Sequence, residues 1–282
     1  MNKLSEIRWA FDIAKWKPSG GEWSHALSSI QSEEQQRICR FVFKRDAKAS
    51  LAGQLMLRKL ARETLLLSND EIKLERSVKG KPYVSNRPNF PYKFNVSHQG
   101  SYTVVAASDS QFVGVDVMRI DRERFANEAK VEAFFHTMRR QFTANEWLQI
   151  KRGDLKKQLL NFYRHWCLKE SYVKAIGVGI TINLQSIDFT VYDDDLTSVV
   201  TSTKLRVNGV LEKDWQFEEQ LLDDEHCACV ALHSSPCDLE SIDRFHFLQL
   251  DELLSKASPL SNADPRIQQD FEAKEEEPLI PL

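Results

Sequence analysis

The stretch Phe112-Val113-Gly114-Val115-Asp116-Val117-Met118 decides the fold around it, because it is apolar and β-branched with one carboxylate in it. β-Branched residues favour strands, so the stretch predicts a strand. A carboxylate inside an apolar strand is costly unless it binds a cation or a strong hydrogen-bond donor. The alternative for a lone aspartate is a turn residue or a helix N-cap, and the flanking valines disfavour it. Asp116 is therefore predicted to be a functional carboxylate.

A second stretch, Trp166-Cys167-Leu168-Lys169-Glu170-Ser171-Tyr172-Val173-Lys174, predicts a helix with long side chains. Trp166, Glu170 and Lys174 recur every four residues and therefore share one helix face. Taken alone, Glu170 would be a solvated partner of Lys174, and Trp166 would support packing. Two carboxylates near a lysine can instead hold Mg²⁺ and a phosphate together.

Outward from these stretches, the sequence indicates one α/β pattern used twice. The first half has an amphipathic helix over residues 46–67, followed by strand patterns at 72–76, 92–96 and 102–107. The second half has a helix over residues 158–176, followed by strand patterns at 187–192, 204–207, 215–218 and 227–232. The predicted fold class is α+β: two similar α/β halves, each an antiparallel sheet packed on a long helix.

These patterns place the predicted domain boundaries at residues 1–111, 112–235 and 236–282. Within the second half, Thr143-Ala144-Asn145-Glu146 has the spacing of a capping box and predicts a helix start. From residue 255 onward the composition shifts to Ser, Pro, Asp and Glu, which predicts an unpacked acidic tail. Residues 244–254 are an exception, because their apolar side chains could fold back onto the N-terminal half.

Composition restricts the classes of function. The chain has 282 residues, of which 42% are hydrophobic and 28% are charged, as in an ordinary soluble protein. Its net charge of −3 argues against nucleic-acid binding, which needs a basic surface. No apolar run approaches the length of a membrane span, and the N-terminus lacks a signal-peptide pattern. We therefore predict a cytosolic protein that binds neither nucleic acid nor membrane, and we expect it to be a monomer.

The five cysteines show no zinc-binding or redox spacing. Cys227 and Cys229 alternate with small apolar residues and are predicted to face the same side of a sheet. We predict reduced structural thiols throughout. The cysteines are Cys39, Cys167, Cys227, Cys229 and Cys237.

Four motifs in this order resemble a known signature. They are Lys79-Gly80-Lys81-Pro82, Phe94-Asn95-Val96-Ser97-His98-Gln99-Gly100, Gly114-Val115-Asp116 and Trp166-x-x-Lys169-Glu170-x-x-x-Lys174. Together they are similar to the 4′-phosphopantetheinyl transferases of the larger type, named for activation of surfactin synthetase. The resemblance runs over residues 8–232 and is closest to the animal members of that family.

The resemblance implies an enzyme that moves 4′-phosphopantetheine from coenzyme A to a serine of an apo acyl-carrier or peptidyl-carrier domain. Such an enzyme depends on Mg²⁺, releases 3′,5′-ADP and produces the holo carrier. In the family, two similar halves enclose the active site in a cleft between them. Coenzyme A is the co-substrate, and its charged groups call for electrostatic stabilisation more than for covalent chemistry.

Carried over to this sequence, the resemblance makes Asp116, Glu170 and Lys174 catalytic, with Asp116 and Glu170 as metal ligands. The family often has a third carboxylate two residues after the strand aspartate, where this chain has Met118. A thioether is a poor Mg²⁺ ligand, which leaves Glu170 as the candidate general base. The implied coenzyme-binding residues are Arg37, Arg76, Lys79, Gly80, Lys81, Asn95, Val96, Ser97, His98, Asp116, Glu170 and Lys174.

The implied partners are the carrier domains of cytosolic fatty acid synthase and of aminoadipate-semialdehyde dehydrogenase, with mitochondrial acyl carrier protein as a further candidate. Two other classes stay open. One is a different Mg²⁺-dependent nucleotide enzyme such as a kinase, although the sequence has no phosphate-binding Gly-x-x-x-x-Gly-Lys-Ser/Thr loop. The other is a catalytically inactive module that binds acyl-carrier domains, against which the intact Asp116, Glu170 and Lys174 argue.

Overall fold

A computed structural model of the chain describes residues 6–125, 127–179, 182–233 and 244–277, so that Cys237 and residues 278–282 of the predicted tail lie outside the described residues. In chain order the helices and strands are β1 (Ile7–Asp12), α1 (Glu22–Ser28), α2 (Ser32–Cys39), α3 (Lys44–Leu65), β2 (Leu74–Arg76), β3 (Pro82–Val84), β4 (Lys93–Gln99), β5 (Tyr102–Ser108), β6 (Phe112–Arg119), α4 (Glu128–Met138), α5 (Ala144–Ile150), α6 (Leu155–Ile176), β7 (Ile187–Thr190), β8 (Lys204–Val207), β9 (Val210–Glu212), β10 (Trp215–Asp223), β11 (His226–His233), β12 (His246–Phe247), α7 (Leu250–Leu254) and α8 (Pro265–Glu272).

Residue contacts divide the chain into two units. The first unit comprises Met1–Arg8, Tyr92–Val96 and Ala106–Phe245, and the second comprises Trp9–Pro91, Ser97–Val105 and His246–Leu282. The strands β1, β4 and β5 contribute residues to both units. Because this division does not follow sequence position, the boundaries proposed at residues 111 and 235 stay a prediction.

In the first unit, a three-stranded antiparallel sheet in the order β10-β11-β6 packs against α6. This 22-residue helix begins where the Asp154 side chain accepts a hydrogen bond from the Lys157 N–H, and it ends at Gly177. Gly177 has φ of 69°, a left-handed conformation that closes helices and favours glycine. The predicted sheet on a long helix is confirmed here.

A second antiparallel sheet of the first unit, in the order β7-β8-β9, contacts α5 and α6 through β7. Thr143 and Glu146 form the predicted capping box at the start of α5. The apolar centre of this unit lies around Phe162 on α6, whose ring centroid is 4.6 Å from that of Phe134 and 5.2 Å from that of Phe142. These aromatic contacts fix α6 against its neighbours.

The strands β12, β1, β5 and β4 form a four-stranded sheet in that order. The second unit contains the long helix α3 and a separate antiparallel hairpin of β2 and β3. The alternating pattern of β2 and the glycine at the turn account for this hairpin. Both units are mixed α and β structures, so the predicted α+β class is confirmed. Short elements such as α2 and β9 are not predicted by the sequence patterns.

The C-terminal segment differs from its prediction. β12 pairs with β1 and α7 contacts α3, so residues 246–254 fold back onto the N-terminal part as expected. The expectation of an unpacked tail after residue 255 is wrong for the described residues, because α8 packs on α1 with Phe271 stacked on Trp23 at 3.9 Å. Amphipathic spacing in α8 outweighs the polar composition from which the tail was predicted.

The acidic run near residue 275 also has a structural explanation. The Lys44 N–H donates to the Glu275 carbonyl oxygen at 2.8 Å, and the Arg45 N–H donates to the Glu276 carbonyl oxygen at 3.0 Å. These are N–H groups at the start of α3, which have no partner within a helix. The Glu276 carboxylate also binds the buried Lys48 ammonium. The acidic residues therefore complement the N-terminus of α3.

The described cysteines Cys39, Cys167, Cys227 and Cys229 are free thiols, as predicted. Cys227 and Cys229 are both buried on β11. No helix in the described ranges is both long and apolar enough to cross a membrane.

Candidate active site

Gly114 lets α6 lie directly on β6. A Cβ atom at this position would be 2.5 Å from the Ala175 nitrogen and closer still to the Ser171 carbonyl oxygen. Only glycine permits this approach of helix backbone to strand backbone. Because side chains alternate along a strand, Asp116 projects from the same face of β6 as Gly114 and therefore toward α6.

We predict that Gly114→Ala destabilises the protein by about 1–3 kcal/mol or more, as expected when an added group is forced into a packed interior. The two nearest atoms in its way are backbone atoms and the third is the Ala175 Cβ, and none of them can rotate aside as a longer side chain would. Chemical denaturation of the wild type and the variant measures the effect. Gly179→Ala is the matched control, because no atom would meet a Cβ at Gly179, although its φ of 68° adds some strain. Equal losses for the two variants would contradict the close packing at Gly114.

Asp116 is held by Lys174. The Asp116 side chain is nearly buried, and its Oδ1 accepts a hydrogen bond from the Lys174 Nζ at 2.5 Å. Lys174 lies on the last turn of α6 with its side chain 30% exposed, so its ammonium reaches from solvent to the buried carboxylate. The Cys167 thiol donates to the Asp116 carbonyl oxygen at 3.2 Å. Two contacts from α6 thus fix the position of Asp116.

Glu170 is half-buried one turn before Lys174 on α6. Burial raises the pKa of Glu170, the charge of Asp116 raises it further, and the charge of Lys174 lowers it. The two predicted metal ligands are therefore close enough to repel each other electrostatically. A carboxylate with a raised pKa is suited to proton transfer near neutral pH, and a cation beside it would relieve the repulsion.

We predict that the pKa of Glu170 responds to its two neighbours with opposite signs. Asp116→Asn should lower the pKa of Glu170, because it removes a negative charge, and Lys174→Met should raise it. Titration of the Glu170 side-chain carbon by NMR without Mg²⁺ measures both shifts. Because folding raises this pKa, the contribution of Glu170 to stability decreases as pH rises from the ordinary glutamate value through the raised value. An unchanged pKa in both variants would contradict the electrostatic coupling.

The predicted motif around His98 is divided between the units. Asn95 and Val96 belong to the first unit, whereas Ser97 and His98 belong to the second. Asn95 is buried, and its Oδ1 accepts a hydrogen bond from the Val115 N–H at 3.1 Å. Asn95 thereby supports β6 at the residue before Asp116. A role for these four residues in coenzyme binding stays a prediction.

Lys169 is a residue whose role sequence reasoning missed. It lies within the same motif as Glu170 and Lys174, yet its side chain is 1% exposed and points away from them. Its Nζ donates to the carbonyl oxygens of Leu184 and Ile187 at 2.7 and 2.6 Å and lies 2.9 Å from Glu146 Oε2. Lys169 thus ties α6 to the capping box of α5. The capping-box spacing at residue 146 was the available signal.

The predicted cationic residues of the second unit form a group around a carboxylate that the sequence did not single out. Glu34 on α2 accepts hydrogen bonds from Arg37 Nε at 2.9 Å and from Arg76 Nε at 2.9 Å. Arg76 also donates to the carbonyl oxygen of Gly80, whose φ is 79°. The structure therefore brings Arg37 and Arg76 together, with Lys79 and Lys81 on the adjoining hairpin turn.

Met118 packs against the apolar cluster of the first unit and supplies no third carboxylate. Across the ranges that the structure describes, no group of three or more His, Cys, Asp or Glu side chains could hold a metal ion. Any metal at this position would therefore depend on Asp116 and Glu170 with non-protein oxygens.

Comparison with known proteins shows the family of the chain. Residues 14–110 match the N-terminal family of 4′-phosphopantetheinyl transferases, and residues 112–231 match the 4′-phosphopantetheinyl transferase superfamily. The chain belongs to the 4′-phosphopantetheinyl transferases. The family predicted from four motifs is confirmed, and with it an enzyme that uses coenzyme A as substrate.

Individual relatives match most of the chain. The chain is 42% identical over 279 residues to the rat L-aminoadipate-semialdehyde dehydrogenase-phosphopantetheinyl transferase, and the alignment covers 93% of this chain and 89% of the relative. It is 41% identical over 293 residues to the human protein of the same name, covering 98% and 94%. A bacterial relative, 4′-phosphopantetheinyl transferase gsp of Aneurinibacillus migulanus, is 32% identical over 227 residues, covering 80% and 84%. The predicted similarity to animal members is confirmed.

Proposed function

We propose that this transferase moves 4′-phosphopantetheine from coenzyme A to a serine of apo carrier domains, with Asp116, Glu170 and Lys174 as the catalytic residues. The observation that carries the proposal is the buried Asp116 bound to Lys174 at 2.5 Å, with Glu170 one turn away and its pKa raised. A structural salt bridge alone would not need a second carboxylate whose ionisation is disfavoured.

Asp116 and Glu170 fit Mg²⁺ as its protein ligands. Both are hard oxygen donors, and Mg²⁺ is commonly bound by one or two carboxylates together with phosphate and water oxygens. Burial raises the pKa of Glu170 most, and the charge of Asp116 raises it further; a divalent cation would offset both effects. When bound, the ion would supply charge neutralisation at the coenzyme pyrophosphate. Met118 supplies no third ligand at this position. None is required, because phosphate and water oxygens can complete the coordination shell of Mg²⁺.

Side chains of this protein carry out the other parts of the proposed reaction. Glu170 accepts the proton of the carrier serine hydroxyl as that oxygen attacks the phosphorus attached to the pantetheine arm. The bond from this phosphorus to the bridging oxygen breaks, and 3′,5′-ADP leaves. The Lys174 ammonium binds phosphate oxygens as charge develops on them, acting as a point charge. Asp116 holds Lys174 in position for this role.

The cationic residues of the second unit bind the nucleotide end of coenzyme A in this proposal. A guanidinium binds phosphate through two parallel hydrogen bonds, which suits Arg37 and Arg76 to the 3′-phosphate. Lys79 and Lys81 flank Gly80, whose left-handed conformation turns the hairpin and allows close approach of a ligand to the backbone. The motif residues Ser97 and His98 contribute to binding of the same coenzyme.

The carrier substrates proposed are those of aminoadipate-semialdehyde dehydrogenase and fatty acid synthase, with mitochondrial acyl carrier protein as a further candidate. The names of the rat and human relatives support the first of these. We further propose that the protein works as a monomer in the cytosol.

We predict that acyl-coenzyme A is a substrate with efficiency within about tenfold of coenzyme A itself. The charged residues assigned to the coenzyme all act at its nucleotide and pyrophosphate, so no group remains to select the free thiol. Discrimination between the two substrates requires a difference in interaction energy. Transfer rates with acetyl-coenzyme A and coenzyme A measure this. A preference for the free thiol above about 100-fold would need some 2.7 kcal/mol of contact at that end and would contradict the assignment.

Calorimetric titration of coenzyme A with and without Mg²⁺ tests the proposed function. We expect Mg²⁺ to tighten binding to the wild type and to have little effect on Glu170→Gln. Binding that ignores Mg²⁺ in the wild type would favour the inactive carrier-binding module over the proposed enzyme site.

A further inference from the structure

Two arginines of the second unit share one carboxylate. Arg37 comes from α2 and Arg76 from β2, which are 39 residues apart in sequence. Glu34 accepts from the Nε of each, and its Oε2 also accepts from the terminal nitrogens of Arg37 at 2.7 Å and of Arg76 at 3.1 Å. Each guanidinium therefore makes two hydrogen bonds to the same carboxylate.

Further contacts fix this group. The Gln54 side-chain amide donates to Glu34 Oε2 at 3.0 Å, and Arg37 donates to the Ser50 hydroxyl at 2.6 Å. Burial would raise the pKa of Glu34, but the hydrogen bonds from Arg76 and Arg37 outweigh it and hold the pKa below its usual range. Glu34 is thus ionised near neutral pH and only 15% exposed, whereas Arg37 and Arg76 remain 36% and 37% exposed.

This geometry has a physical consequence for anion binding. Two exposed guanidiniums on flexible side chains would repel each other and would lose conformational freedom on binding a phosphate. A carboxylate behind them removes the repulsion and orders both before the ligand arrives, while the three groups keep a net charge of about +1. The carboxylate also opposes the ligand's charge, so the two effects of Glu34 have opposite signs.

We propose that Glu34 is a positioning residue that holds Arg37 and Arg76 in place for the 3′-phosphate of coenzyme A. The ordering of two arginines outweighs the repulsion between Glu34 and the phosphate, because Glu34 faces away from solvent and the guanidiniums toward it. This inference rests on the proposed function, in which Arg37 and Arg76 bind the 3′-phosphate of coenzyme A. It adds an acidic residue to an anion-binding site.

The test compares Glu34→Gln with Glu33→Gln. Both changes remove one negative charge from the same turn of α2, but Glu33 is exposed and only Glu34 bridges the arginines. Calorimetry of the wild type and the two variants with coenzyme A and with dephospho-coenzyme A, which lacks the 3′-phosphate, gives six dissociation constants. For Glu34→Gln we expect about tenfold weaker binding of coenzyme A, the size expected when two side chains must be ordered on binding. The dissociation constant of Glu34→Gln for dephospho-coenzyme A, and those of Glu33→Gln for both ligands, should differ from the wild-type values by less than about twofold.

Unchanged or tighter binding of coenzyme A by Glu34→Gln would overturn the proposal, since charge repulsion would then dominate. Equal losses for the two ligands would also overturn it, because Glu34 would then act on the fold and not on the 3′-phosphate. In an Arg37→Ala/Arg76→Ala background only the repulsion between Glu34 and the phosphate remains, so Glu34→Gln should leave coenzyme A binding unchanged or tighten it. A loss of affinity as large as that in the wild-type background would count against the proposal. These binding readouts do not depend on transfer, so a chain that binds coenzyme A normally but modifies no carrier would refute the proposed function alone.

Discussion

Phosphopantetheine transfer is expected to fall by about 10²-fold or more in Asp116→Asn and in Glu170→Gln, the size seen when a principal electrostatic stabiliser is removed. Both substitutions keep the side-chain volume, so packing around β6 and α6 should be retained. In Asp116→Asn the Lys174 ammonium loses the charge that holds it at 2.5 Å, and in Glu170→Gln the proton acceptor is lost. The measurement is kcat at saturating coenzyme A, carrier and Mg²⁺.

Glu132→Gln is the matched control for these variants. Glu132 is an exposed carboxylate on α4 of the same unit, so its removal tests for a general effect of charge. We expect the control to retain wild-type turnover, and all three variants to keep the wild-type circular dichroism spectrum. Near-normal kcat in either Asp116→Asn or Glu170→Gln would show that the reaction does not need both carboxylates.

The second large effect is expected on binding. Arg76→Ala or Lys81→Ala should weaken coenzyme A by about 1.5–3 kcal/mol, the range for a hydrogen bond to a charged group, or about 10- to 150-fold in Kd. Binding of dephospho-coenzyme A should be unaffected by at least one of the two, because that residue's partner is absent. Calorimetry measures all four affinities.

Arg87→Ala serves as the control for charge in this unit, since the Arg87 side chain donates to the carbonyl oxygen of its neighbour Asn86. It should leave both affinities unchanged. If Arg76→Ala weakened coenzyme A and dephospho-coenzyme A equally, Arg76 would contact another part of the ligand, such as the pyrophosphate, or would act through the carrier protein.

The sequence predicted the strand and the helix of the proposed site well because their signals are local. A strand interrupted by one carboxylate and a helix with a four-residue repeat correspond to β6 and α6, and the structure joins them through Asp116 and Lys174. The reason for Gly114 could not be read from sequence, because the backbone atoms that exclude a Cβ belong to Ser171 and Ala175, more than fifty residues later. Spacing predicts which residues share a face, but not how closely two elements approach.

The roles of two further residues, Lys169 and Glu34, were not predicted from the sequence, and each has a physical reason. Lys169 and Lys174 are both lysines of one motif, but the helical repeat turns Lys169 to the buried side of α6, where it meets Glu146. Glu34 was missed because an acidic residue is not expected where an anion is to bind. The contacts that reveal these roles, from Lys169 to Glu146 and from Glu34 to Arg76, join distant parts of the sequence, so local spacing alone did not identify them.

Intact-mass spectrometry of an apo carrier domain, incubated with the chain, coenzyme A and Mg²⁺, tests the central claim most directly. With the wild type, the carrier is predicted to gain the mass of one phosphopantetheine on its serine and to gain none over the same period with Glu170→Gln. Failure of the wild type to modify the carrier domains of both aminoadipate-semialdehyde dehydrogenase and fatty acid synthase would contradict the proposed function. An equal gain with Glu170→Gln would contradict the site.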